Sequence, residues 1–282
     1  MAKLNAQGMA RRSEALMRSL VADPGHSIVS VDLSAGEPTV TTYYSRDKYY
    51  KAASFDMVGQ VPRWDGDVLL IDDIYLMTMS VSPMGKDKVR AWFDEGLADK
   101  WVKDAEGFKS SVKKDRQLHK VLCLGLSYGM GPRKLVETAR VAGHDLPMAT
   151  AKQFFGAYWE LFAGVKRLSN NLAQQFKREG HLVNVFGYRL VPEADYKCLN
   201  AYIQSSVSGV VNVLTPTFFD LAPYCNFQTL IHDELVFQCP TDRLEDARKA
   251  MARATDELNK MLGWSVNIRT GFVSGKDWYE AK

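Results

Sequence analysis

The rhythm of apolar and polar positions changes several times along the chain, and each change marks an element. A short helix is expected first. "HSIVSVDLSAGEP" then reads as an apolar strand that ends at Asp32 and runs into a Gly-Pro turn. Residues 45–70 keep no period, and Gly59, Pro62 and Gly66 interrupt any long element, so an irregular stretch is expected there. Spacings of three and four take over at 71–80 and 86–104. A stronger helix follows in "KKDRQLHKVLCLGLSYGMGP", stopped by Gly129, Gly131 and Pro132. Helices are expected to continue to about residue 180. "NVFGYRLVP" reads as strand and turn, and "CLNAYIQSSVSGVVNVLTPTFF" as one long buried helix. "TLIHDELVFQ", residues 229–238, reads as two strands meeting at a turn, followed by a helix near 242–262 and a strand near 265–273.

Composition adds limits. The 282 residues are 46% hydrophobic and 24% charged, which suits one large or two modest globular domains and argues against disorder. A net charge of +3 does not announce a nucleic-acid binder, yet a near-neutral total can hide a basic groove opposite an acidic site. No apolar run approaches the length of about 18 residues needed to span a bilayer, and the first 20 residues carry no signal-peptide core, so a cytoplasmic chain is expected. Cys123, Cys198, Cys225 and Cys239 form no CxxC pair; buried reduced thiols are expected rather than disulfides or zinc ligands.

Two places concentrate chemistry. His232, Asp233 and Glu234 stand together between two apolar strands, and Asp32 is a further acid at a strand end. A solvated hairpin tip would account for the tripeptide alone, because turns favour acidic residues for conformational reasons. The second place is the helix near 113–129, where Arg116, Lys120, Leu124 and Tyr128 recur every four residues. Each step advances about 40° around a helix, so the four form a slowly turning stripe. Two cations followed by two apolar or aromatic groups suit a nucleotide's phosphates, sugar and base. A basic surface turn running into a core face is the other reading.

Taken in order, three stretches resemble the polymerase motifs of the family A DNA polymerases, the group of bacterial DNA polymerase I and many phage replicases. "VDLSAGEP" resembles the first motif, D-Y-S-Q-I-E-L-R. "RQLHKVLCLGLSYG" resembles the second, R-x3-K-x7-Y-G, and "HDE" between apolar strands resembles the third. "DDIYLM" is similar to the family's D-I-H-T, "NAYIQ" keeps an Asn and a Gln four residues apart, and "GKDWYEA" is similar to a common family ending. The resemblance covers nearly the whole chain but only the palm and fingers portion of the family. It implies an α+β fold: a palm of antiparallel sheet with helices, formed by 1–44 and 166–282, and a mainly helical fingers subdomain over 45–165. The fingers would hold an insertion near 45–70 and the nucleotide-binding helix near 113–129. No thumb or exonuclease domain is expected within the sequence.

The resemblance also implies roles. Asp32 and Asp233, with the Leu33 backbone carbonyl, would hold two Mg2+ ions, or Mn2+ in their place, provided their strands are adjacent; Glu234 would be a secondary catalytic acid. His232 would position the primer end or the backbone, or serve structure alone. Arg116 and Lys120 would bind the triphosphate, and Lys120 could protonate the departing pyrophosphate. Tyr128 would stack near the templating base, with Gly129 letting the helix end close to DNA, or Tyr128 would be core packing. Glu37 would join Tyr128 in blocking a ribose 2′-hydroxyl, or be an exposed turn carboxylate. Asn200 and Gln204 would touch the primer-template minor groove, or form a buried amide pair tying helices together.

Departures from the pattern qualify the picture. Leu124 stands where the family has an aromatic residue, leaving the sugar-facing contact aliphatic; Pro38-Thr39 replace the Arg after the first-motif Glu, and Tyr196 stands at a family arginine position. The expected activity is Mg2+-dependent transfer of a dNTP to a primer 3′-hydroxyl on primer-template DNA, by one subunit of a phage split or minimal polymerase. A separate thumb or exonuclease polypeptide, or a processivity factor, is expected to dock near residues 1–17, through Met9, Leu16 and Met17 with Arg11 and Arg12 at the rim. A single-subunit RNA polymerase relative and a non-catalytic nucleic-acid-binding remnant are the alternatives. Glu37 and Glu234 favour DNA over RNA synthesis, and the retained Asp32, Asp233, Arg116 and Lys120 argue against a remnant.

Overall fold

The computed structural model describes residues 14–282; Met9, Arg11 and Arg12 lie outside the described residues. Helix α1 (Glu14–Ser19) leads into strand β1 (His26–Ser34). The expected Gly-Pro turn is instead the start of helix α2 (Gly36–Ser45). Pro38 falls in its first turn, where a missing N–H leaves no helical bond unmade.

The stretch expected to be irregular contains three elements. Helix α3 (Lys48–Lys51) is capped by Asp47, whose carboxylate accepts from the Tyr49 and Tyr50 N–H groups at 3.1 and 2.9 Å, and it continues as a π-helical turn over Ala52–Asp56. Strands β2 (Arg63–Asp65) and β3 (Val68–Leu70) form a hairpin. Gly66, one of the apparent breakers, supplies the positive φ of 61° that its two-residue loop requires.

Helix α4 (Ile74–Val81) buries Leu76 to Ser80 without interruption, so it runs through a core rather than along a surface. The single helix expected at 86–104 is two, α5 (Lys86–Asp94) and α6 (Leu97–Ser111), parted at Gly96 with φ 87°. Asp104 breaks helical geometry inside α6, and its carboxylate recaps the second half through the Gly107 N–H. Helices α7 (Lys113–Ser127), α8 (Pro132–Val141), α9 (Met148–Leu161) and α10 (Ala163–Glu179) follow. Gly180, at φ 71°, ends α10. A short hairpin of β4 (Leu182–Val183) and β5 (Arg189–Leu190) precedes the long helix α11 (Cys198–Leu221).

Strands β6 (Asn226–Ile231) and β7 (Glu234–Pro240) form the expected hairpin, and α12 (Leu244–Leu262) the expected last helix. The final strand is two short ones, β8 (Arg269–Thr270) and β9 (Val273–Gly275), both on the free edge of β1. The sheet runs β6-β7-β1 and then β8 or β9, every pairing antiparallel. The fold class is α+β.

The chain divides into two compact units, one of residues up to Thr39 with Gln204–Lys282, the other of Val40–Ile203. In the first, period-two alternation gives β1 and β7 two apolar faces. One carries Phe237, whose ring lies 4.7 Å from that of Phe218 on α11. The other carries Ile28 and Val236, packed with Ile231, Met17, Trp278 and Ala281. Met17, expected to meet a separate polypeptide, is thus spent inside this chain's own core, because α1 covers the sheet. In the second unit α4 packs within a core that includes Leu122, Leu126, Phe154, Tyr158 and Phe162. All four cysteines are buried free thiols. Among the described residues no helix is long and apolar enough to cross a membrane.

Candidate functional site

In the sheet-bearing unit, pairing register brings together acids that are distant in sequence. Asp32 on β1 lies opposite Glu234 on β7. The Leu33 N–H donates to the Asp233 carbonyl at 3.3 Å, and the Gly271 N–H to the Asp32 carbonyl at 2.8 Å. Ile231 pairs with Glu234, so His232 and Asp233 alone make the turn. His232 takes it in the left-handed region, φ 57°, a conformation that costs a non-glycine residue roughly 1–2 kcal/mol and that His tolerates better than most. Its side chain is exposed. Asp32, Asp233, Ser30, Ser34, Gly271 and Lys282 are among the residues lining a cleft of about 410 Å³ at this end of the sheet.

The third acid is occupied differently. Glu234 is 8% exposed. Its Oε1 accepts from Ser30 Oγ at 2.7 Å and from Trp278 Nε1 at 2.7 Å, and its Oε2 meets Lys282 Nζ at 3.2 Å. With its charge matched and both oxygens engaged, Glu234 is a buried anchor beside the two more open acids. Ser30 and Lys282 were not singled out in the sequence, and Trp278 stood out there only as part of "GKDWYEA". The alternation of β1, which puts Ser30 on the same face as Asp32, is the signal for Ser30.

Glu37 is half-buried in the first turn of α2 rather than an exposed turn carboxylate. Burial raises its pKa; a hydrogen bond from Gln204 opposes the rise, and the charge of Asp233 adds to it. Gln204 therefore turns its amide to Glu37. Gly36 permits the close approach of α2 to α11, since a Cβ there would lie 3.4 Å from Val207 Cγ1 and 3.3 Å from Leu33 Cβ.

In the helical unit, the four-residue stripe of α7 stays on the open side. Leu122, Cys123, Gly125 and Leu126 are buried, whereas Leu124 is 36% and Tyr128 38% exposed. That favours a presented face over a stripe that sinks into the core. Lys120 is half-buried with no ion-pair partner among the described residues. Arg116 is held: its Nε and one terminal nitrogen reach Asp73 Oδ2 at 2.8 and 2.6 Å, with the guanidinium 5.0 Å from the centre of the Tyr75 ring. Asp73 Oδ1 meanwhile caps α4 through the Tyr75 and Leu76 N–H groups. The "DDIYLM" stretch thus owes its second acid to a cap that also orients Arg116.

Gly129 has φ 80°, and a Cβ on it would meet the Tyr196 carbonyl oxygen at 2.4 Å. The close approach it permits in the structure is to that backbone. Asn200 is half-buried on α11, one turn before the exposed Gln204.

The model of DNA polymerase family A matches residues 96–280. The DNA polymerase of Mycobacterium phage D29 is 27% identical over 262 residues, covering 91% of this chain and 36% of that protein. DNA polymerase I of Streptococcus pneumoniae strain R6 is 24% identical over 247 residues, covering 79% of this chain and 27% of that protein. The chain therefore spans about a third or less of these relatives' length. The fold is similar, with a TM-score of 0.72 at 18% identity, to the POL domain of Pol1 from M. smegmatis, solved in complex with DNA primer-template and dNTP, covering 99% of this chain and 45% of that one. With the model matching well over half of its residues, the chain belongs to DNA polymerase family A.

Proposed function

We propose that this chain carries the polymerase centre of a template-directed DNA polymerase, transferring a nucleotide from a dNTP to a primer 3′-hydroxyl. The observation that carries the reading is the β1–β7 register, which puts Asp32 and Asp233 at one cleft. Among the described residues no group of three or more His, Cys, Asp or Glu side chains could cage a metal alone. A carboxylate pair fits Mg2+, which takes few protein carboxylates and fills its shell with water and phosphate oxygens. Asp32 and Asp233, with the Leu33 carbonyl, would hold the metal. When bound, two such ions supply charge stabilisation for the attacking and departing oxygens; Mn2+ is expected to substitute.

The remaining roles fall to the chain's own side chains. Residues 1–44 and 166–282 act as palm and residues 45–165 as fingers. Lys120 binds the triphosphate and donates a proton to the leaving pyrophosphate, while Arg116, fixed by Asp73, presents its remaining N–H groups to a phosphate. Leu124 and Tyr128 offer the sugar and base a mixed aliphatic and aromatic face. Glu37, buttressed by Gln204, crowds the position of a 2′-hydroxyl. Asn200, Gly129 and His232 lie against primer-template DNA. Phosphate contacts beyond these come from polypeptide outside the 282 residues, as a thumb-bearing partner or a processivity factor.

Primer extension with Mg2+, comparing dNTPs with rNTPs, tests the reading. The wild-type chain is expected to extend with dNTPs, and Asp32→Asn or Asp233→Asn to abolish extension with thermal unfolding unchanged, since each removes a charge and almost no volume. Near wild-type extension by either variant would refute the assignment.

A further inference from the structure

The cleft that holds Asp32 and Asp233 is also lined by Ala281 and Lys282. These residues belong to a segment fastened by its own bonds to α1 and the stretch that joins α1 to β1. The Trp278 N–H donates to the Leu20 carbonyl at 3.0 Å, the Ala22 N–H to the Lys276 carbonyl at 3.0 Å, and Arg18 meets Asp277 at 3.2 Å. Trp278 and Ala281 then pack with Met17, Ile28, Ile231 and Val236. From that fixed base the segment sends two groups to one carboxylate. The Trp278 indole N–H and the Lys282 ammonium both bind Glu234, and the same ammonium lies 5.1 Å from the centre of the Trp278 ring. Ser30 closes the set from β1.

Glu234 is the first residue of β7 and directly follows Asp233, which sits in a two-residue turn. The turn is otherwise weakly held. The cross-strand bond reaching Asp233 is the 3.3 Å one from Leu33, and His232 adopts a left-handed conformation that relaxation would relieve. A buried carboxylate with three donors is the firm point nearest to it. We infer that Trp278 and Lys282, through Glu234, form a brace that fixes Asp233 at the reaction centre, which makes all three positioning residues for nucleotidyl transfer. The inference deepens the polymerase reading and rests on it for its catalytic consequence. The electrostatic part follows from the same contacts. With Lys282 matched to Glu234, the charge of that carboxylate is balanced by its own partner beside Asp32 and Asp233.

The test uses Trp278→Phe, which keeps an aromatic ring and loses the N–H donor, together with Lys282→Met and Lys282→Arg. Two measurements are made on each full-length chain: hydrogen exchange of the Leu33 and 232–235 amides, and steady-state primer extension. Trp278→Phe and Lys282→Met should speed exchange at those amides. They should also lower kcat by on the order of 10- to 100-fold, the scale of a small misplacement of a reacting group, with the dNTP KM unchanged. Lys282→Arg should restore both. Unchanged exchange in both disruptive variants overturns the brace, whatever the activity. Faster exchange with undiminished kcat overturns the positioning role. If the wild-type chain extends no primer, the polymerase reading fails, and the exchange result alone decides whether the brace exists.

Discussion

The pairing of Asp73 with Arg116 allows a prediction whose size follows from geometry. Asp73 is buried, its side chain 3% exposed, and Arg116 is 24% exposed. The two oxygens do separate work: Oδ1 accepts the two capping bonds of α4 at 3.0 and 2.9 Å, and Oδ2 accepts from Arg116 at 2.8 and 2.6 Å. Loss of an N-cap costs about 1 kcal/mol. Loss of one partner of a buried ion pair costs about 3–5 kcal/mol, but water reaches Arg116, so about 2 kcal/mol is the better figure here. Asp73→Ala should therefore destabilise the chain by about 3 kcal/mol. Asp73→Asn keeps the capping oxygen and should cost about 2 kcal/mol. Urea denaturation of both variants, of Arg116→Leu and of the double variant Asp73→Ala/Arg116→Leu gives the comparison. A coupling near 2 kcal/mol is expected between the two sites, because each partner alone leaves the other unmatched. Strict additivity, or equal losses for Ala and Asn, would refute the division of labour between the two oxygens. In extension assays Asp73→Asn should also raise the dNTP KM, since Arg116 loses the group that orients it.

His119 is 2% exposed, with its ring nitrogens at 3.0 Å from the Asp115 carbonyl and 2.9 Å from Ser82 Oγ, and burial lowers its pKa from 6.5 to about 4. The unfolded chain takes up this proton first as pH falls, so the contribution is complete above pH 6.5 and drains away toward pH 4, about 3 kcal/mol in all; His119→Gln should flatten the urea-unfolding profile over that window, and an unaltered slope would refute it. Gly164→Ala should lower stability by about 1–3 kcal/mol despite better helix propensity, because the new Cβ would lie 2.8 Å from Asp47 Cβ and from the Ser45 carbonyl. Gly156→Ala, with nothing within 4 Å of the added carbon, should stabilise by up to about 1 kcal/mol; thermal unfolding that moved both variants the same way would sink the contrast. Glu37→Ala should raise ribonucleotide relative to deoxynucleotide incorporation, and an unchanged ratio in a competition assay would remove Glu37 from sugar selection.

Local rhythm sufficed wherever an element's own residues specify it. The four-residue recurrence of Arg116, Lys120, Leu124 and Tyr128 marked one face of α7, and the apolar runs around His232-Asp233 marked a hairpin; both stand in the structure. Rhythm misled where short elements depend on single side chains. Asp47 and Gly66 make a helix and a hairpin out of a stretch that has no period, and Gly96 parts a helix that the spacing joins. Charge state and partnership were hidden altogether. Asp233 and Glu234 are neighbours of the same chemical type and both line the cleft, yet one sits half-buried in the turn and the other is buried and bonded to Ser30, Trp278 and Lys282. Likewise Arg116 is bound by Asp73, and Glu37 by Gln204. The amino-acid sequence by itself determined which residues share a helix face or a strand face, because backbone periodicity is a local property. Only the tertiary structure decided which of those faces meet and which carboxylates remain open, because strand register and the docking of residues 276–282 join groups far apart along the chain.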